Sequence, residues 1–108
     1  MLAIENIVSI HNTAVQAAQK AEADFIARHG EPMYCGFAWV TVSEKASTKL
    51  GRALKAVGFT KSYSGGLQLW NPGGSHTQSM DVKETGAQAY ADTLKAFGIK
   101  AYMGSRAD

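Results

Sequence analysis

Three times along the chain a helix-forming stretch ends in glycine and is followed, four or five residues later, by tyrosine, any residue and glycine. The copies run from Gly30 to Tyr34, Cys35 and Gly36, from Gly58 to Tyr63, Ser64 and Gly65, and from Gly98 to Tyr102, Met103 and Gly104. The second and third share their approach, Leu54-Lys55-Ala56-Val57 against Leu94-Lys95-Ala96-Phe97. Glycine just past a helix is a left-handed stop, and an aromatic residue after it starts extended chain well. The pattern therefore predicts a helix–turn–strand unit used three times, in the order α-β-α-β-α-β.

At 108 residues the chain is long enough for one domain with one core. A net charge of +2 without any block of like charge argues against a surface built for nucleic acid or membrane. Cys35 is the single cysteine, which leaves no disulfide framework or cysteine metal cluster and suits a reducing compartment. The opening Met1-Leu2-Ala3-Ile4-Glu5 has neither a basic start nor a long apolar run. The expectation is a cytoplasmic protein with no membrane segment.

Ile4, Ile7, Val8, His11, Val15, Ala18, Glu22 and Phe25 recur at three- and four-residue spacing, which predicts a long helix over residues 3–29. Such a helix is about 40 Å long, against a body roughly 30–35 Å across. Its stripe thus outruns the body, and residues 1–30 are expected to form a homo-oligomer contact. Residues 33–42 read as a central strand covered on both faces, because Phe37 and Trp39 on one side and Ala38, Val40 and Val42 on the other are apolar. A second helix starts between Ser43 and Ser47, and a third at Asp81 with Glu84 as a capping box. Residues 59–70 read as one strand kinked at Gly65 and Gly66, in preference to a hairpin turning there. Residues 99–106 form the last strand. The resulting expectation is a single α/β domain with a three-stranded, at least partly parallel sheet, an antiparallel α+β sandwich being the alternative. Its core would hold Phe37, Trp39, Leu54, Val57, Leu67, Leu69, Leu94, Phe97 and Ile99.

Chemistry concentrates in the connection over residues 71–79. Gly73, Gly74, Ser75, His76, Thr77 and Ser79 follow a strand and precede a helix, where free amides and the helix dipole favour an anion. Arg106 on the final strand would neutralise that anion. The plain reading of the same residues is a glycine-rich loop ending in a helix cap. No lysine follows the glycines, so this is not a nucleotide-binding P-loop. A second candidate surface is a row formed by Tyr34, Tyr63 and Tyr102, with Gln68, Trp70 and Arg106 at its edges. Histidine spacing supports no zinc site, and no nucleophile elbow or triad can be identified. No catalytic residue, metal ligand or cofactor is assigned.

The runs Tyr34-Cys35-Gly36-Phe37-Ala38-Trp39-Val40, Gln78-Ser79-Met80-Asp81 and Ala101-Tyr102-Met103-Gly104-Ser105-Arg106-Ala107-Asp108 resemble small accessory proteins encoded by tailed bacteriophages. That resemblance implies a protein of the infected cytoplasm that binds a host protein, a nucleic acid or a small molecule. The leading expectation is a small non-enzymatic binding protein engaging a host factor or an anionic small ligand. One alternative is a small hydrolase or transferase using His76 with a nearby serine or aspartate. The other is a nucleic-acid-binding module using Arg52, Lys55, Lys61, Lys100 and Arg106, which the low net charge disfavours.

Overall fold

The computed structural model describes residues 6–63 and 65–108, so the expected helix start at Ala3, and Ile4 on its stripe, lie outside the described residues. The elements run α1 (Ile7–His29), β1 (Gly36–Val42), α2 (Lys49–Ala56), β2 (Thr60–Lys61), β3 (Leu67–Trp70), α3 (Met80–Ala96) and β4 (Ala101–Ala107). The repeated glycine stops are real. After α2, Gly58 N–H donates to Lys55 O and Phe59 N–H to Leu54 O. After α3, Gly98 and Ile99 repeat the same bonds to Lys95 O and Leu94 O. Both glycines have positive φ, 119° and 87°, which other residues rarely adopt.

The sheet corrects the expected strand count and pairing. It has four strands in the order β2-β3-β1-β4, and every neighbouring pair is antiparallel. The fold is α+β. The physical reason is the reading of residues 59–70, which form a hairpin and not one kinked strand. Ser62 N–H donates to Gly66 O at 3.0 Å and Gly65 N–H to Ser62 O at 3.2 Å, so β3 turns back on β2. The helices α2 and α3 still connect strands that point the same way, β1 to β2 and β3 to β4. Between each such pair another strand has inserted, β3 in one case and β1 in the other. This is the split β-α-β-β-α-β arrangement.

One face of the sheet is covered. Gly36, Ala38, Val40 and Val42 of β1 are buried there, with Leu67 of β3 and Ala101 of β4. Ala87 and Ala91 of α3, in line with Met80 and Glu84 that meet Gly36 and Ser105, are small enough to let it lie close to β1 and β4, while Gly86 of the same helix faces Glu22 of α1. The helix α1 packs along α3 in the opposite direction, since His11 reaches Tyr90 while Glu22 reaches Gly86. Ile7, Ile10, Ala14 and Ala18 of α1 join Ala87, Tyr90, Ala91 and Leu94 of α3 in the core. The molecule's long axis is 39 Å, enough for the 23 residues of α1. The side of α1 carrying Ile7, Ile10, Ala14 and Ala18 therefore has its partner within the chain, while Val8 of the expected stripe is exposed.

Of the expected core, Leu54, Leu67, Leu94 and Ile99 are buried, and Val57 and Leu69 pack partly buried against it. Phe97, the C-cap residue of α3, is exposed. Phe37 and Trp39 point to the other face of the sheet, so β1 is covered on one side only. Among the described residues no helix is long and apolar enough to cross a membrane.

Candidate functional site

The uncovered face of the sheet collects the chain's large planar side chains. Antiparallel register sets Trp39 opposite Trp70 and Thr41 opposite Gln68 between β1 and β3. Between β1 and β4 it sets Phe37 opposite Arg106, Trp39 opposite Gly104 and Thr41 opposite Tyr102. Because side chains alternate along a strand, all these residues share the face opposite Val40. Phe37 and Trp70 meet edge to face with centroids 6.1 Å apart, and Trp70 and Trp39 lie tilted at 4.8 Å. Trp70 remains 44% exposed. The indole of Trp39 lies across Gly104, where an added Cβ would stand 2.6 Å from Nε1. Gly104 is thus the floor on which that ring rests.

Two cations stand at one end of this row. Lys83 Nζ lies 5.3 Å from the Phe37 ring centre and donates to Gly36 O at 3.0 Å. Arg106 Cζ lies 5.9 Å from the same ring. Both distances are in the range of cation–π attraction. Lys83 reaches the site from the first turn of α3, so the start of that helix and the end of β4 meet beside Phe37. The arrangement is a stacking platform with hydrogen-bonding groups along it, Thr41, Gln68 and Tyr102, and positive charge at one end.

The expected tyrosine row does not form. Tyr34 lies before β1, Tyr63 stands fully exposed at the hairpin tip, and Tyr102 alone is on the open face. The residues proposed as its edges, Gln68, Trp70 and Arg106, are brought together there. Phe37, Trp39 and Lys83 escaped the sequence reading. The available signal was the alternation of small and large residues in Gly36-Phe37-Ala38-Trp39-Val40: a helix lying close to a sheet takes the small side, which leaves the large side outward.

The loop over residues 71–79 is folded on itself. Ser75 Oγ accepts from Thr77 N–H at 3.2 Å, Thr77 Oγ1 from Ser79 N–H at 3.0 Å, and Ser79 Oγ from Val82 N–H at 3.4 Å. Ser79, and not Asp81, is the N-cap of α3. Glu84 instead accepts from Ser105 Oγ of β4. Asn71 Nδ2 donates to Ser75 O, and the loop is tied to the approach of β1 by Gly36 N–H to Gln78 O and Met80 N–H to Tyr34 O. Each hydroxyl thus already serves a backbone amide two or three residues on. Gly73 is buried, while Gly74 and His76 face solvent. Among the described residues no hydrogen bond joins His76 to Ser75, Ser79 or Asp81. Arg106 is at the open face and not at this loop's hydroxyls.

Behind the loop, Glu22 of α1 is only 4% exposed, its carboxyl enclosed between Gly73 and Gly86. Oε2 has no hydrogen-bond partner among the described residues. Burial pushes its pKa up to about 7, against the opposing pull of Lys83. About three helical turns earlier on α1, along the same interface, His11 Nδ1 meets Tyr90 Oη at 2.7 Å. Burial holds the imidazole below its ordinary pKa and the phenol above its own. The hydrogen bond between the two rings gives the histidine on the stripe a packing role. Among the described residues no group of three or more histidine, cysteine or acidic side chains could hold a metal ion. No family model matches the chain, and no curated protein or solved structure is similar to it.

Proposed function

We propose that this protein is a non-enzymatic binding module whose ligand lies on the open face of the sheet. The ligand chemistry is a planar ring bearing a phosphate, a nucleotide unit, either free or within a single strand. The observation that carries this reading is the row Phe37–Trp70–Trp39, in which Trp70 is about half exposed, with Lys83 and Arg106 at its end. A base stacks on an aromatic face at about 1–3 kcal/mol per base without sequence preference. The phosphate meets Lys83 and Arg106, and Thr41, Gln68 and Tyr102 address the ring edges. The net charge of +2 disfavours an extended nucleic-acid surface, but two cations placed at the platform suffice for a short contact. In the setting that the phage resemblance implies, the module would engage nucleic acid or nucleotides during infection.

Tryptophan emission tests the proposal directly, since Trp39 and Trp70 are the chain's two tryptophans. Titration with a thymine oligonucleotide of about ten bases should quench it, with affinity falling with salt at a log–log slope of about −1.4 for two phosphate contacts. Thymidine monophosphate in a parallel titration separates the two sources: equal affinity assigns the free nucleotide, and much tighter oligonucleotide binding assigns the strand. Trp70→Ala should weaken binding about 5- to 100-fold. No quenching by either probe, or binding that survives Phe37→Ala combined with Trp70→Ala, overturns the assignment.

A further inference from the structure

The strand β4 is an edge of the sheet, seven residues long, paired to β1 on one side only. Asp108 N–H donates to Cys35 O and Lys100 O accepts from Ser43 N–H, so even-numbered residues direct their backbone groups toward β1. Ala101, Met103, Ser105 and Ala107 therefore direct theirs outward, and among the described residues no strand takes them up. Natural sheets protect such an edge with proline, lysine or a bulge. Here the edge carries no proline, no lysine between its ends, and an unbroken register with β1 over all seven residues.

The sequence of this edge is complementary to itself. Reading outward from Gly104, the pairs are Met103 with Ser105, Tyr102 with Arg106, Ala101 with Ala107, and Lys100 with Asp108. An antiparallel partner strand centred on Gly104 would set each of these residues opposite the other member of its pair. The outward backbone groups of Ala101, Met103, Ser105 and Ala107 then meet as hydrogen-bonded pairs, as the parity of β4 requires. Tyr102 meets Arg106 and Lys100 meets Asp108, each twice by symmetry, in favourable cross-strand contacts. Moving the centre to Met103 sets Lys100 against Arg106, like against like, and breaks both contacts. A groove of about 460 Å³ beside the start of β4, lined by Lys95, Gly98, Ile99, Lys100, Ala101 and Tyr102, lies where Asp108 of a second copy arrives.

We propose that two copies of this chain join through β4, antiparallel and centred on Gly104, into one eight-stranded sheet. The contact is isologous, as a two-fold dimer requires. It also extends the open face, because Tyr102 of the second copy stacks beside Arg106, which itself flanks Phe37.

The test is molar mass by light scattering across a concentration series, on the full chain. The expected result is a dimer that dissociates on dilution. Asp108→Lys sets lysine against lysine at both ends and should weaken dimerisation about tenfold. Lys100→Asp combined with Asp108→Lys restores opposite charges and should return the affinity. Ser105→Pro removes an outward amide while sparing the bonds to β1, and should leave a folded monomer. A monomer at all concentrations up to about 1 mM (a weak limit for a specific contact) overturns the proposal. So does a dimer that the charge exchange leaves unchanged, or one broken by changes on α1 and not on β4.

Discussion

The two faces of the sheet are built from the same strands on opposite rules. On the covered face Gly36, Ala38, Val40, Val42 and Ala101 are small or medium and buried. On the open face Phe37, Trp39, Trp70 and Tyr102 are large, and Trp70 and Tyr102 remain about half exposed. Among the strand residues the usual association of aromatic bulk with the core is reversed, while Phe59 and Tyr90 outside the strands are buried in it. The cause is α3, whose Ala87 and Ala91 allow a close approach that small and medium strand residues accommodate. Bulk is displaced to the side without a helix, where the rings must cover one another. A face with that composition is unusual for a surface with nothing to bind.

The comparison breaks most directly if the two faces contribute equally to stability. Leu94→Ala on the covered side should cost about 3 kcal/mol in denaturant unfolding, as for buried leucines generally. Trp70→Ala should cost about 1 kcal/mol or less, because nearly half of its surface stays in water. Equal losses would make the open face part of the core.

The covered side also contains the buried carboxyl of Glu22, and this sets a pH dependence. Its folded pKa of about 7 lies above the ordinary value of 4.5, so the folded state retains the proton to higher pH. The stabilisation is complete below about pH 4.5 and is lost as pH rises through about 7. The loss amounts to about 3 kcal/mol at 1.36 kcal/mol per unit. Glu22→Gln, followed by thermal unfolding from pH 4 to 9, should remove this slope. A wild-type stability that rises across this window would contradict the buried, unpartnered carboxyl.

A smaller effect sharpens the account of the open face. Gly104→Ala places a methyl 2.6 Å from Trp39 Nε1, so the indole must shift. The expected loss is about 1–2 kcal/mol, with a change in tryptophan emission, as in other overpacked sites. Unchanged emission would mean that Trp39 does not rest on Gly104. Smallest is Ser79→Ala, which removes the N-cap of α3 and should cost about 1 kcal/mol without altering tryptophan emission.

Local signals carried the helices well. Gly58 and Gly98 stop α2 and α3 where the sequence places the stops, because a positive φ is a property of one residue and its neighbours. The cap of the third helix lies two residues earlier than expected, since both Ser79 and Asp81 are good caps and only the neighbouring hydrogen bonds choose between them. The hairpin was hidden because β2 is only two residues long and leaves no periodicity to read. Of the loop residues, Gly73, Gly74, Ser75, His76, Thr77 and Ser79 were legible as a turn before a helix. That their hydroxyls are engaged with their own backbone depends on φ and ψ along the loop, which composition does not specify. Gln68, Trp70 and Arg106 were recognisable as groups that would matter together, but their common face follows from the register of three strands.

What the chain by itself determined is the sequence of helix, glycine stop and extended segment, since those depend on interactions within a few residues. Tertiary structure decided which strands became neighbours, which face α3 covers and where α1 found its partner. Each of those is a competition among distant segments for the same surface. The insertion of β3 beside β1 turned an expected, at least partly parallel sheet into an antiparallel one, and the same insertion brought Trp70 against Trp39. The candidate site is therefore a product of pairing between residues 39 and 70, a separation at which no local pattern reports on contact.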